Sequence, residues 1–407
     1  AGCAGLVAAM ELATRGYRNV TIFEANSQVG GKVSTLSNNG IDFEMGQILF
    51  GQHYRAIWRL ALDLGCQFTS ESATDFLEHA SGERTELRTT HGIKTWYEQL
   101  FAAAGIDPAV PPPAAMEEVP EDLLMPIGEW LSKHGLAEPP AAFLTSWTGC
   151  GYGYLADQVP AWFLLRYVQI IHSATVLPLT IKGGNQSLWE RMARVLRERY
   201  GYDVRLGAAA RAYEADDTGV SLTMADHTRE RFDAAILAVP ANALAQLLPP
   251  PSREPFERFR HYGYRVAAFE ADGLPEHIRS IHFKEAQRTP HPGQVLGVFR
   301  AHSAQHGFIA GQYFSCPGQV ALSDAELDEM LDAKLKELGL HVAERRGSAC
   351  WGNYFPHLTA EDLQRGTLQE IEAQQGKNRT FYTGSYLAFE TIEHVARHAQ
   401  ALVRTFF

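Results

Sequence analysis

The sequence predicts an α/β fold: a Rossmann-like, dinucleotide-binding domain interleaved with an α+β substrate region and a helical segment. Three observations carry this expectation. The chain opens AGCAGLVAAMELATRG, a glycine-spaced turn running straight into an apolar helix. The next stretch, NVTIFEA, is rich in β-branched and aromatic residues and reads as a buried strand. Helix, glycine stop and strand in that order suit a parallel sheet with helices packed on it.

Taken in order, the first helix runs to about Arg15 and stops at Gly16, and the glycine-rich loop SQVGGKVSTLSNNGIDFEMGQ leads into short strands. Ile57, Leu60, Ala61 and Leu64 then mark a helix ending at Gly65. From about Phe68 to Pro178 the character changes, with the break VPPPAAMEEVP and long aromatic stretches such as WFLLRYVQIIHSA, which predicts an inserted helical region or part of a second domain. SLWERMARVLRERYG is a helix, followed by the strand-like DVRLGAAARAYE, SLTMADHT and FDAAILAVP. Mixed strands and helices follow, with DAELDEMLDAKLKELGL as a surface helix, and RTFYTGSYLAFETIEHVARHAQALVRTFF reads as strand, glycine turn and terminal helix. Residues 1–70, 180–246 and 347–407 are therefore expected to form one discontinuous domain. Residues 71–179 and 247–346 are expected to form the substrate-binding region.

A chain of 407 residues favours two domains over one small module. The formal net charge of -11 opposes a nucleic-acid surface, which needs a basic stripe to displace counterions. The five cysteines, Cys3, Cys66, Cys150, Cys316 and Cys350, are scattered with no CxxC pair, the pattern of reduced thiols in a cytoplasmic protein with no metal site. The most apolar stretch, AAILAVPANALAQLL, is broken by Pro240, Asn242 and Gln246, so no transmembrane segment is expected.

The chemistry begins at the opening turn. In a GxGxxG fingerprint the first glycine permits a tight turn, the second lets the backbone approach a pyrophosphate, and the third allows close helix packing. Gly2 and Gly5 have the spacing of the second and third, with Ala4 between them. The first glycine, and the strand feeding it, would then lie just before Ala1, and the chain as written is expected to hold a dinucleotide weakly. Glu24, followed by Ala25, ends the next strand about 20 residues on, where an acidic group meets ribose hydroxyls and repels a 2′-phosphate. Gly30, Gly31 and Lys32 could set backbone amides and a cation against phosphates.

Nicotinamide enzymes share this fingerprint, so those residues alone leave the cofactor open. The loop resembles that of the flavin-containing amine oxidase and phytoene desaturase superfamily, whose acidic strand end is followed by GGR or GGK. FDAAILAVP resembles the superfamily's strand returning toward the cofactor, KGGNQSLWERM its glycine turn and helix, and FYTGSYLAFETIEHVARHA its C-terminal flavin motif. The resemblance implies a glutathione reductase type of FAD-binding domain and FAD as cofactor. It places Met45, Gly46, Gly384, Ser385, Thr391 and Ile392 near the pyrophosphate or isoalloxazine, with Ala210 on the cofactor's side. A helix N-terminus near Thr391 would suit the electron-rich edge of a reduced flavin.

A closer resemblance, over nearly the whole chain, is to the FAD-dependent polyunsaturated fatty acid double-bond isomerases. VGGKVST with FEMGQILFG, EDLLMPIGEWL, GYGYLADQVPAWFLLRYV and WGNYFPHLTAEDLQRGTLQEIEAQQGKNRTFYTG carry it. It implies hydride chemistry at the flavin on a small apolar or lipid substrate, with no metal and no nucleophile. Tyr152, Tyr154, Trp162, Ser173, Phe355 and His357 are the candidate pocket residues. Two features depart from the family. Its carboxylate-anchoring arginine precedes a Phe-Leu pair, and here Thr74 and Asp75 precede Phe76 and Leu77, leaving Arg84, Arg88 or another cation to substitute. The aromatic gate position is occupied by Ser173.

Amine oxidation is the first alternative, although amine oxidases usually carry a lysine near the flavin on a strand resembling GYRVAAFEADG, where this chain offers Arg265 and Glu270. A CH–CH dehydrogenase or desaturase is the second. A non-catalytic flavin-binding protein is the third.

Overall fold

The computed structural model describes residues 1–48, 50–51, 53–70, 74–87, 92–110, 119–172, 179–288, 291–301 and 304–407. The first helix, Cys3–Thr14, is rich in alanine, leucine and methionine, all strong helix formers. Leu6, Val7, Ala8, Ala9, Leu12 and Ala13 are buried where it packs on the helices Ser187–Tyr200 and Ile392–Phe406. It ends before Gly16, whose φ of +95° suits glycine.

Two parallel strand pairs stand beside this helix. Thr21–Phe23 pairs with Asp203–Arg205, and Ala235–Leu237 pairs with Thr380–Tyr382. Parallel pairing across such sequence distances needs helical crossovers, which the helices Ser187–Tyr200 and Ile392–Phe406 help to cover. A mixed α/β architecture with Rossmann-like parallel pairing is thus present, as the sequence predicts.

The largest sheet has seven strands, in the spatial order His341–His357, Arg260–Asp272, Gly307–Ser315, Val295–Arg300, Ile278–Phe283, Thr74–Glu78 and Arg84–Glu86. The last two strands correct the expectation of a helical region from Phe68 onward. Three-residue and five-residue strands such as Arg84–Glu86 and Thr74–Glu78 are too short to show a two-residue period, and pairing decides their conformation: Thr74–Glu78 joins Ile278–Phe283, about 200 residues away, and Arg84–Glu86 joins Thr74–Glu78.

Strand alternation gives this sheet two distinct faces. One is covered by the helix Asp324–Glu337, which packs Leu327, Leu331 and Leu335 inward and starts at a capping box formed by Ser323 and Glu326. Arg265 points to this side, where it meets Gln312 at 3.1 Å and Asp328 at 2.6 Å. The other face carries Tyr264, Trp351, Phe299, Ser280 and Asp75, and the helices Ile93–Ala104, Ala141–Trp147 and Ala161–Ile171 lie across from it. Behind those helices sits a core of aromatic rings that includes Trp130, Phe143, Trp147 and Phe163. No helix among the described residues is long and apolar enough to cross a membrane.

Candidate active site

A cavity of about 1780 Å³ connects the parallel strands to the seven-stranded sheet. It exceeds the 300–1,000 Å³ of a pocket for one small molecule because it joins three regions. The first, which also reaches between the strands Thr21–Phe23 and Ala235–Leu237, is lined by Gly2, Ala4, Gly5, Glu24, Ala25 and Ala210. The second contains the loop of Gly30, Gly31 and Lys32 with Gly46, Gly384, Ser385, Thr391 and Ile392. The third is an aromatic chamber ending on Asp75 and Arg279.

The glycine loops meet backbone to backbone. Gly30 N donates to Ala1 O at 2.9 Å, and a Cβ on Gly31 would stand 3.1 Å from Gly2 Cα. A Cβ on Gly46 would stand 2.0 Å from Lys32 O, so three chain segments pass where side chains do not fit. The turn of KGGNQ braces this crossing. Gln186 Nε2 donates to Val29 O at 3.0 Å and its Oε1 accepts from Thr35 N at 3.0 Å. Asn185 N donates to Glu44 Oε1 at 2.8 Å, while its Nδ2 donates to the carbonyls of Gln47 and Ile48. Glu44 is buried, and burial pushes its carboxyl up to about 8, so it is largely protonated at neutral pH.

Glu24, nearly buried at the strand end, accepts hydrogen bonds from Asn26 N at 3.0 Å and Asn26 Nδ2 at 2.9 Å. Met45 lies in the core and does not reach the wall, but its carbonyl accepts a 2.8 Å bond from Trp351 Nε1, a cavity residue. The Lys32 ammonium group donates to Glu390 Oε1 at 2.8 Å and Asn353 O at 2.7 Å. That contact ties the glycine loop to the C-terminal segment. Thr391 caps the terminal helix, accepting from His394 N, so the N-termini of Cys3–Thr14 and Ile392–Phe406 both open on the cavity. Unpaired amides at two helix ends suit an extended, anionic dinucleotide. The glycine crossings, two helix ends and a strand-end carboxylate fit FAD.

The chamber wall is formed by Tyr152, Tyr167, Tyr264, Trp351 and Tyr354. Every one of the four tyrosines donates its hydroxyl to a backbone carbonyl: Tyr152 to Glu390 at 3.1 Å, Tyr167 to Ser146 at 2.9 Å, Tyr264 to Gly149 at 2.7 Å and Tyr354 to Cys150 at 3.0 Å. Burial raises all four phenols well above their usual range, so they stay protonated. Cys150 is likewise pushed up to about 11, and His53 at the wall is pushed down to about 4 and stays neutral. The chamber thus presents ring faces, with its phenols, thiol and His53 all far from titrating at neutral pH.

Of the six candidate pocket residues, Tyr152 lines the cavity. Tyr154, Trp162, Phe355 and His357 pack in the core behind it, with Phe355 stacked on His357 at 5.1 Å between ring centroids. Ser173 lies outside the described residues, as does Arg88. Arg84 is held by Glu78 at 2.7 Å and does not line the cavity. Glu270 is bound by Arg346 at 2.7 Å, and the cavity-facing side chain beside Arg265 is Tyr264. Sequence reasoning missed Glu44, Asn185, Gln186, Tyr167, Trp351 and Arg279. Only Asn185 and Gln186 carried a local signal, as polar residues directly after a glycine pair.

Fold and site together define a flavin-dependent α/β enzyme of the dinucleotide-binding class. The comparisons with known proteins specify the group: residues 3–269 match the flavin containing amine oxidoreductases, and the chain belongs to that family. FAD is accordingly its cofactor, and the protein is a FAD-dependent oxidoreductase of the amine oxidase superfamily. The structure resembles that of a CLA-producing fatty acid isomerase from P. acnes, with a TM-score of 0.87, 23% identity, and coverage of 100% of this chain and 97% of the other. It also resembles cyclohexylamine oxidase from Brevibacterium oxydans, with a TM-score of 0.72, 16% identity, and coverage of 100% and 96%. In sequence it is 22% identical to the beta-cyclopiazonate dehydrogenase of Aspergillus flavus, over 95% of this chain and 87% of that protein.

Proposed function

We propose that this enzyme isomerises a carbon–carbon double bond in an apolar, unsaturated lipid, without net oxidation. The observation that carries the reading is the chamber wall: four tyrosine rings and a tryptophan whose polar atoms are all spent on backbone carbonyls. Such rings bind hydrocarbon by burial, and their committed hydroxyls and indole N–H offer a reacting carbon no acid or base. Bound FAD supplies hydride-accepting and hydride-donating chemistry, which needs neither.

The chain's residues then have three tasks. Tyr152, Tyr167 and Tyr264 hold the unsaturated chain against the chamber, and their fixed hydroxyls keep the rings in one orientation. The Lys32–Glu390 pair, with Asn353, locks the glycine loop to the C-terminal segment and closes the chamber at the cofactor side. Trp351, fixed to Met45 O, holds the edge of the sheet against the Gly46 crossing. Water exclusion by these rings protects a reactive allylic system from side reactions.

The test is anaerobic incubation of FAD-loaded enzyme with a panel of polyunsaturated lipids and amines. Conjugated-diene absorbance with no lasting flavin bleaching supports the proposal. Lasting bleaching by a lipid supports a dehydrogenase or desaturase, lasting bleaching by an amine supports an amine oxidase, and no response to any compound favours a flavin-binding protein without turnover.

A further inference from the structure

The floor of the chamber ends in a polar cluster that the chemistry above does not use. Asp75 and Ser280 face each other across the strands Thr74–Glu78 and Ile278–Phe283, and the Ser280 hydroxyl donates to Asp75 Oδ1 at 2.5 Å. Arg279 Nε donates to the same oxygen at 2.8 Å, and its Nη2 donates to Asp75 Oδ2, giving a two-point ion pair. His282 completes the group, its Nε2 lying 3.0 Å from Ser280 Oγ, and burial pushes it down to about 4, so it adds no charge. Asp75, Arg279, Ser280 and His282 all line the cavity.

The valences decide what this cluster can hold. Asp75 already accepts three hydrogen bonds and has the full positive charge of Arg279 against it. The Nη1 amino group of Arg279 makes no hydrogen bond among the described residues, and the side chain retains 22% exposure, so N–H donors remain for a ligand. Among the described residues, Lys32 and Arg300, two other cations of the wall, are committed elsewhere. Arg300 donates to the carbonyls of Ile278, Leu274 and Pro275, and Lys94 is 82% exposed.

Resting on the reading of an apolar unsaturated substrate, we infer that its polar end is an uncharged acceptor, an ester, amide or alcohol, held by the free edge of Arg279 in the Asp75–Arg279 pair. A free carboxylate would share one guanidinium with Asp75 and leave a net negative charge in a largely buried site. An ammonium group would face the outward edge of the guanidinium. A carbonyl or hydroxyl oxygen accepts from Nη1 with no charge to bury. The pair also stands at the distance a long chain needs: five strand steps separate Asp75 from the strand of Trp351 and Tyr354, roughly 24 Å at about 4.8 Å per step.

The experiment uses FAD-loaded full-length chain and monomeric concentrations of linoleic acid, methyl linoleate and linoleoyl amide, well above the acid's pKa. Binding is read from the perturbed flavin spectrum and diene formation from the same samples. The ester and amide are expected to bind about tenfold or more tighter than the acid, the scale of one like-charge contact in a partly buried site. In wild-type enzyme the acid's affinity should rise toward the ester's as pH falls and the carboxylate is protonated. Asp75→Asn should improve binding of the ionised acid about tenfold relative to the ester measured in the same variant. Equal or tighter binding of the ionised acid by wild type overturns the inference, whatever the variant does. Preferred ester binding without diene sinks the isomerase reading and leaves the head-group inference standing, whereas a better-bound acid that is isomerised does the reverse. Binding of none of the three overturns both.

Discussion

Alanine at Gly46 tests whether the backbone crossing is what holds the cofactor loop. The added Cβ would stand 2.0 Å from Lys32 O and 3.0 Å from Lys32 C, and both are backbone atoms that no rotamer change can move. Reaching ordinary contact requires the two segments to part by about 1.4 Å. The 3.1 Å bond from Gln47 N to Lys32 O would then be lost, and the 2.8 Å bonds from Met45 N to Ser34 O and from Trp351 Nε1 to Met45 O would be strained. One lost buried bond costs about 1–3 kcal/mol and overpacking about 1–3 kcal/mol, so Gly46→Ala should destabilise the protein by about 2–6 kcal/mol. Because Gly31 rests on Gly2 through the same loop, flavin retention should fall with it. Urea unfolding gives the stability, and the flavin-to-protein absorbance ratio after gel filtration gives the retention. Gly352→Ala is the control: it too lines the cavity, but its Cβ would meet only Phe314 Cζ at 3.7 Å. A Gly46→Ala protein with stability and flavin content like those of Gly352→Ala would mean that the crossing does not hold the cofactor loop.

Three further outcomes are expected. Glu44 keeps its proton in the folded state up to about 8, against 4.5 for an unperturbed glutamate, so folding stability should fall as pH rises through that window. Glu44→Gln should flatten the decline, as measured by urea unfolding at several pH values, and an unchanged slope would exclude Glu44 as its source. Tyr152→Phe removes only the hydroxyl bonded to Glu390 O, which should cost about 1 kcal/mol of stability and change turnover less than about threefold. A loss of turnover of about tenfold or more would assign that hydroxyl a part in the chemistry. Thr391→Ala removes the cap of the terminal helix and should cost about 1 kcal/mol in thermal or urea unfolding while weakening flavin binding, whereas an unchanged flavin affinity would place that helix end away from the cofactor.

What could be read from the sequence was whatever the backbone itself demands. Gly30, Gly31 and Gly46 are glycines because chain approaches chain at those points, and their spacing is visible without coordinates. The first and terminal helices were legible from their apolar residues and stops, and the FAD fold from the match of several separated motifs. The bracing of the cofactor loop was not, because Glu44 and Asn185 are 141 residues apart and meet only in three dimensions. GYGY and YFPH show why aromatic runs mislead. Gly151 and Gly153 adopt φ of +95° and +84°, and Phe355 has φ of +47°, so no simple alternation tells which ring faces the chamber. Tyr152 reaches the wall while Tyr154 turns toward Tyr313 in the core. The Asp75–Arg279 pair was equally hidden, since it depends on parallel pairing of two strands about 200 residues apart.

Turnover counted against flavin separates isomerisation without net oxidation from oxidation. FAD-loaded enzyme, kept free of oxygen and of any added electron acceptor, is given an excess of an unsaturated lipid identified by the head-group comparison. Conjugated product should accumulate far beyond one equivalent per flavin, with the flavin oxidised once the reaction ends. Product that stops at one equivalent, beside a flavin that stays bleached until an acceptor is admitted, would contradict isomerisation.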